Sequence, residues 1–258
     1  MIAIISDIHS NLEAFEAVLE DIRSKDVEAI YSLGDIIGYG PNPGEAVDLA
    51  IENCETTITG NHDYAVLYEP TRFNIGAENA IFWTRNQLER EKNPELIKKR
   101  LRFLGRADVI LNLHKPELGV DNILLCHGSP RRPINEYLFS TDAQNNPLKL
   151  RSSMERFSGL AFVGHTHIPG VFTESLEFNS PEDLGGKFEF DEGSAKAIIN
   201  VGSVGQPRDG DPRSCYVTVE PGKLEFHRVE YDIQTTAEKV LSKPQLDDSL
   251  AHRLSRGC

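Results

Sequence analysis

The sequence predicts an α/β fold built on a largely parallel β-sheet, with a helical insertion and a β-rich second half. Strand-like and helix-like segments alternate over residues 2–60, helical patterns alone fill 64–106, and short β-rich runs dominate after Pro169. At 258 residues the chain can bury a core large enough to fold without disulfide or metal staples.

The elements follow in order. Residues 2–5 form a continuous apolar run. Ser10-Asn11-Leu12-Glu13 then has the spacing of a capping box that starts at Ser10, and Leu12, Phe15, Val18, Leu19 and Ile22 keep helical spacing. A second strand over 29–33, a helix over 45–53 and a third strand over 56–59 ending at Gly60 complete a βαβαβ pattern, which implies parallel pairing. Residues 64–106 read as an inserted helical cap with helices at 75–91 and 94–104. Its bases, Lys92, Lys98, Lys99, Arg100 and Arg102, read as a solvated helix face rather than a substrate patch. Strands at 109–113, 122–126 and 160–163, with a helix at 148–157, resume the alternation.

Beyond Pro169 the candidate strands are 171–174, 187–190, 195–199, 215–219 and 224–231. Residues 179–186 read as a loop, and Pro221-Gly222 marks a hairpin turn. Residues 1–232 are expected to form one domain, with 233–258 a C-terminal surface helix and frayed tail.

Lys and Arg number 27 against 40 Asp and Glu, a net charge of -13, which argues against a stable nucleic-acid complex or binding to an anionic membrane. No segment approaches membrane-spanning length, and the N-terminus turns polar at Ser6-Asp7, too early for a signal peptide. The four cysteines are scattered without a CxxC pair, so a reducing, cytoplasmic location is expected.

Chemistry concentrates in five clusters: Asp7-Ile8-His9, Gly34-Asp35, Gly60-Asn61-His62-Asp63, His127-Gly128 and Gly164-His165-Thr166-His167. Each follows a strand-like run, so a sheet would deliver Asp7, His9, Asp35, Asn61, His127, His165 and His167 to one edge. Two carboxylates, four histidines and one amide suit two divalent transition metals among manganese, iron, nickel and zinc, rather than an all-oxygen magnesium or calcium cage. Two such ions against Asp7, Asp35 and a bridging hydroxide leave a net positive pocket that would attract phosphate. His62 has no obvious ligand role and could protonate a leaving oxygen, with Asp63 placed to orient or charge it.

At these residues the chain resembles the calcineurin-like metallophosphoesterases, whose signature runs DxH, GD, GNH(D/E), a later His and GHxH. The likeness spans roughly residues 1–230. It implies a sandwich of two mixed β-sheets flanked by helices, with a dinuclear site, manganese or iron favoured, at one end. By the same resemblance, Asp7, His9, Asp35 and His167 would hold one metal and Asp35, Asn61, His127 and His165 the other, Asp35 bridging. His62 would contact the substrate phosphate and act as the acid.

Residues 34–43, 127–130 and 202–209 further resemble bacterial proteins labelled diadenosine-tetraphosphatase-like. The resemblance implies a hydrolase of phosphodiesters or dinucleoside polyphosphates acting on a small phosphorylated or nucleotide substrate. The alternatives are a broad phosphomonoesterase or serine/threonine-type protein phosphatase, and more remotely a scaffold such as the retromer subunit with this fold. Protein phosphatases continue the GD block as GDxxDRG, whereas this chain has Gly38-Tyr39-Gly40 there and lacks that phosphate-gripping arginine. Tyr39, Arg131, Arg132 and Arg208 are candidate substrate contacts, the arginines having surface salt bridges as their alternative. Asn200-Val201-Gly202 departs from the branch pattern of proline after the asparagine.

Overall fold

Neighbouring residues of the first strand face different cores, which explains its unbroken apolar run. Strand β1 (Ile2–Ile5) sends Ile2 and Ile4 into one cluster and Ala3 and Ile5 into another. The computed structural model describes every residue except 192 and 194. β1 lies inside a six-stranded sheet in the order β3 (Thr56–Thr57), β2 (Ala29–Ser32), β1, β11 (Ser214–Glu220), β12 (Lys223–Val229) and β9 (Lys187–Glu189). A second six-stranded sheet runs β4 (Ile110–Lys115), β5 (Val120–Cys126), β6 (Leu160–Val163), β10 (Ala197–Asn200), β7 (Gly170–Thr173) and β8 (Phe178–Asn179).

Between the sheets, Ile4, Leu33 and Val217 of the first meet Leu125, Phe162 and Ile199 of the second. Truncating the fully buried Phe162 to alanine would cost roughly 3–5 kcal/mol. The outer face of the first sheet is covered by α1 (Leu12–Arg23) and α2 (Pro43–Asn53), with α4 (Ile75–Glu89) and α5 (Pro94–Gly105) packed on α2, and Phe15, Val47, Ile81 and Leu104 share one buried cluster with Ile5. On the second sheet, α7 (Pro147–Met154) lays Leu150 and Met154 against Ala161 and Val163. No helix among the described residues is long and apolar enough to cross a membrane.

The two-sheet sandwich is present, so a single, largely parallel sheet is only half the architecture. β1, β2 and β3 are parallel, as are β5, β6 and β10. Each sheet is completed by antiparallel strands: Ile2 lies opposite Ala29 on one side and Val219, from the far end of the chain, on the other. No local pattern announces a partner so distant.

Four local expectations change. Ser10 does not cap α1; its φ of 55° is left-handed, and Asn11 Oδ1 accepts the Ala14 N–H instead at 3.2 Å. Glu13 turns away from a capping box to Thr236 and Lys239. A further helix, α3 (Asn61–Leu67), starts inside the Gly60-Asn61-His62-Asp63 cluster. Arg100 is not on a solvated face but is buried, bonding Asp48 through Nη2 at 2.5 Å and Nε at 3.0 Å. Lys98, Lys99 and Arg102 instead border a cavity of about 500 Å³ with Phe103 and Thr57, which shares no residue with the metal cluster.

The C-terminal segment packs rather than frays. α8 (Ile233–Leu241) and α9 (Ser249–His252) bury Val240, Leu246, Leu250 and Ala251 against Ala80 and Trp83, with Tyr39 at the margin.

Candidate metal centre

The carboxyl ends of five strands from both sheets meet at one end of the sandwich. Asp7 and His9 follow β1, Asp35 follows β2, Asn61 opens α3 just beyond β3, His127 follows β5, and His165 and His167 follow β6. Asp7, His9, Asp35, His165 and His167 all have φ between 49° and 65°. A non-glycine residue held there costs on the order of 1–3 kcal/mol, so five together mark a place where the surrounding structure overrides local preference. Backbone bonds hold them: Asp7 N–H to Gly34 O at 3.1 Å, His9 N–H to Asp35 O at 2.9 Å and Gly205 N–H to Asp7 O at 2.9 Å. A Cβ on Gly60 would lie 2.1 Å from Asp35 Oδ1, so only glycine admits this approach.

The seven side chains converge in two overlapping groups, all buried. His9 Nε2 lies 3.2 Å from His167 Nε2, and Asp7 Oδ1 lies 3.2 Å from His167 Nε2 and 3.7 Å from His9 Nε2. In the other group His127 Nε2 lies 2.9 Å from Asn61 Oδ1 and 3.2 Å from His165 Nδ1. Asp35 Oδ2 joins the two, 3.7 Å from His9 Nε2 and 3.3 Å from His127 Nε2, while its Oδ1 accepts the His62 N–H at 2.7 Å.

Backbone carbonyls select the tautomers. His9, His127 and His167 donate from Nδ1 to Ile37 O (3.3 Å), Leu33 O (3.0 Å) and Gln206 O (2.5 Å), so in the neutral ring of each the lone pair is on Nε2. Burial pushes His9, His165 and His167 below the usual imidazole range, His165 to about 3, so they are neutral at pH 7. Burial alone would lift Asp7 and Asp35, but the surrounding imidazoles, His167 and His127 foremost, hold both below the usual carboxylate range. Burial also works to lower His127, yet the Asp35 carboxylate beside it raises it to about 9. The carboxylates thus draw positive charge into this cluster, which is what a cation would supply.

The donor set fits two ions. Two nitrogens each about 2.1 Å from one ion and bound at roughly 90–110° lie about 3.0–3.4 Å apart, which the 3.2 Å spacing in both groups matches. Asp7 Oδ1 is buried without a hydrogen-bond donor and points among these nitrogens, an orphan that a cation would satisfy.

The remaining predicted residues divide. The His62 ring packs against Tyr39 (centroids 4.3 Å), His9 (4.8 Å) and Phe73 (4.9 Å), its Nδ1 is buried without a partner, and one ring nitrogen lies within 4.8 Å of the His9 and Asp35 donor atoms. Burial, with repulsion from Arg208, lowers His62 to about 4 against the pull of Asp35. Asp63 does not bond the His62 ring. Its carboxylate accepts N–H groups from Ile36 (3.0 Å), Ile37 (3.3 Å) and Gly60 (3.1 Å), so it clamps the loops that carry Asp35 and Asn61.

Tyr39 and Arg208 border the cluster, the guanidinium 6.0 Å from the Tyr39 ring centroid; Arg208 Nε is buried and unpartnered, with Nη2 on Gln206 Oε1 at 2.7 Å. Arg131 is taken up by Glu136 at 2.5 Å, and Arg132 is exposed beside a neighbouring cavity. Sequence reasoning missed Tyr137, whose ring stacks on His165 at 3.8 Å, and Phe73. The sequence offered only the apolar run Tyr137-Leu138-Phe139, and the tertiary structure decides that Leu138 alone of the three is buried. Asn200 shapes the last ligand loop, donating from Nδ2 to Gly164 O and Thr166 Oγ1 and accepting the Gly202 N–H.

Residues 1–223 match the family model of the calcineurin-like phosphoesterase superfamily domain. The chain belongs to this superfamily. It is therefore a metal-dependent phosphoester hydrolase, and the paired His/Asp groups are its candidate dinuclear site. The phosphoesterase is 39% identical to an uncharacterized protein of Methanocaldococcus jannaschii, with 100% of this chain and 98% of the relative covered. A metallophosphoesterase from Sphaerobacter thermophilus is 36% identical, with a TM-score of 0.80 and 100% and 98% of the two chains covered. A hypothetical protein from Pyrococcus horikoshii shares the fold at 18% identity, with a TM-score of 0.74 and the same coverage.

Proposed function

We propose that this phosphoesterase cleaves phosphodiester or pyrophosphate bonds of small nucleotides, dinucleoside polyphosphates among them. The observation that carries the reading is the joining of two nitrogen-rich groups through Asp35 Oδ2, beside a site whose GD block lacks the phosphate-gripping arginine. Asp7, His9, Asp35 and His167 would hold one ion and Asp35, Asn61, His127 and His165 the other. Manganese or iron suits this mixture of imidazole and carboxylate. Bound there, the ions would supply charge neutralisation for phosphoryl oxygens and lower the pKa of water.

The protein's own groups do the rest. Carbonyl-fixed tautomers keep His9, His127 and His167 facing the centre, and burial removes competing water. A substrate phosphate beside His62 would bring negative charge against a ring now depressed by burial and Arg208, favouring its protonated form. From there the ring would deliver a proton to the leaving oxygen. Tyr39 and Arg208 border that position, and Arg208 Nε has no other partner. Arg208 is also the observation that favours a second reading, a phosphomonoesterase, because a free guanidinium edge could take up a terminal phosphate. Four cysteines free of disulfides suit a reducing, cytoplasmic location.

The test is turnover of bis(p-nitrophenyl) phosphate against p-nitrophenyl phosphate by the manganese-loaded protein. Faster cleavage of the diester is expected; the reverse preference moves the assignment to the monoesterase. No turnover of either with manganese, iron, nickel or zinc would point to a binding scaffold.

A further inference from the structure

Three nearly parallel rings lead away from the candidate metal centre. Tyr137 lies 3.8 Å from the His165 ring at 17°, and Phe139 lies 5.2 Å from Tyr137 at 6°. Both outer rings are exposed, Tyr137 by 40% and Phe139 by 45%, while Leu138 between them is 2% exposed and anchors the backbone. They line a cavity of about 560 Å³ with Val109, Ile134, Arg72 and Arg132. Neither arginine has a carboxylate within 4.0 Å among the described residues. Hydrophobic rings left in water cost free energy; Tyr137 is flanked by His165 and Phe139, which leaves the exposed Phe139 ring at the open end of the stack for a further flat group.

The loop that carries them is preorganised. Gly128 N–H bonds Pro133 O at 2.6 Å, Ser129 Oγ bonds Glu136 at 2.7 Å, and Arg131 grips the same carboxylate at 2.5 Å. Asp142 accepts the Phe139 N–H at 2.8 Å and is itself held by Lys149 at 2.6 Å. Such a surface loses little side-chain entropy on binding a flat ligand.

We infer that Tyr137 and Phe139 form a nucleobase platform, so the preferred substrates carry a nucleoside next to the scissile phosphate, with Arg72 and Arg132 placed for further phosphates. The inference rests on the nucleotide-hydrolase reading above. A heterocyclic base satisfies both observations: its π-face covers the exposed rings, and its attached phosphates match the free cations. An aliphatic phosphate ester would leave the rings uncovered, and a phosphorylated peptide side chain would seldom bring a flat ring.

The test is isothermal titration of the manganese-loaded protein with AMP and with ribose 5-phosphate, which present the same sugar phosphate and differ by the base. Base–aromatic stacking of about 1–3 kcal/mol corresponds to AMP binding about 5- to 150-fold tighter. Phe139→Ala, and Phe139→Leu, which keeps apolar bulk without a ring, should each narrow that ratio severalfold; the exposure of Phe139 leaves the fold intact in both. A ratio near one in the unaltered protein, an unchanged ratio in both variants, or no measurable AMP binding by protein that turns over bis(p-nitrophenyl) phosphate would overturn the platform. Loss of the diester reaction itself would instead overturn the hydrolase reading, so the two failures are separable.

Discussion

Replacing Asp63 separates a structural clamp from a catalytic group. Its buried carboxylate receives three backbone N–H groups, from Ile36, Ile37 and Gly60, which adjoin the candidate ligands Asp35 and Asn61. Burial and the Asp35 charge push its pKa up to about 7, and the Gly60 and Ile37 amides pull the other way. In Asp63→Ala the three donors lose their acceptor. At about 1–3 kcal/mol per stranded donor, with water recovering part, the loss is roughly 3–5 kcal/mol. At ~2–4 °C per kcal/mol for a chain of this size, Tm should fall by about 6–20 °C. Asp63→Asn keeps the oxygen on Ile36 and Ile37 but sets an amide against the Gly60 N–H, costing about 2 kcal/mol. Differential scanning calorimetry of metal-free protein should therefore rank the unaltered chain above Asn above Ala. Metal stoichiometry, measured by elemental analysis, should fall in the same order because the Asp35 and Asn61 loops loosen together. The reasoning is refuted if Asp63→Asn melts and binds metal like the unaltered protein while turnover drops a hundredfold, since that pattern belongs to a group acting on the His62 ring.

His62→Ala should lower turnover by roughly 10²-fold or more while both metals are retained, because a ring held by Tyr39, Phe73 and His9 carries no backbone clamp; unchanged turnover would remove it from the mechanism. Gly164→Ala should fold yet lose metal, since the new Cβ would lie 2.1 Å from Ser6 Oγ and 2.4 Å from Asp7 Oδ2 and must displace that carboxylate; full metal content would contradict the geometry. Away from the site, hydrogen bonds from Lys25 and Tyr216, the latter at 2.6 Å, hold Asp21 below its usual value of 3.8 against the push of burial. A depressed carboxyl pKa stabilises the fold above pH 3.8, and this contribution is lost as pH falls through the lower folded value. Tyr216→Phe should thus cost about 1 kcal/mol in urea unfolding at pH 7 and less near pH 2.5; an equal cost at both would show that the carboxylate charge is irrelevant.

Much of the site was legible because its signals are local. A strand's end, a glycine that admits a tight approach and a nearby histidine or aspartate are neighbours in sequence, and although one such cluster alone would say little, five in a fixed order point to one site. What sequence could not supply was direction. Asp63 sits beside His62 in the chain yet bonds backbone across to Ile36, and Ser10 has a capping side chain but a left-handed backbone that forbids the cap. Arg100 reads as one of a row of surface bases, and Asp48 draws it inward.

By itself, then, the sequence determined which residues could bind metal, in what order they arrive, and most strands and helices, since periodicity and motif spacing act over a few residues. Tertiary structure alone decided that β1 pairs with β11, that two sheets rather than one bring His127 and His165 to Asp35, and that Tyr137 stacks on His165. Those contacts join segments far apart in the chain, and their energy comes from burial and complementary shape, which exist only once both partners are in place.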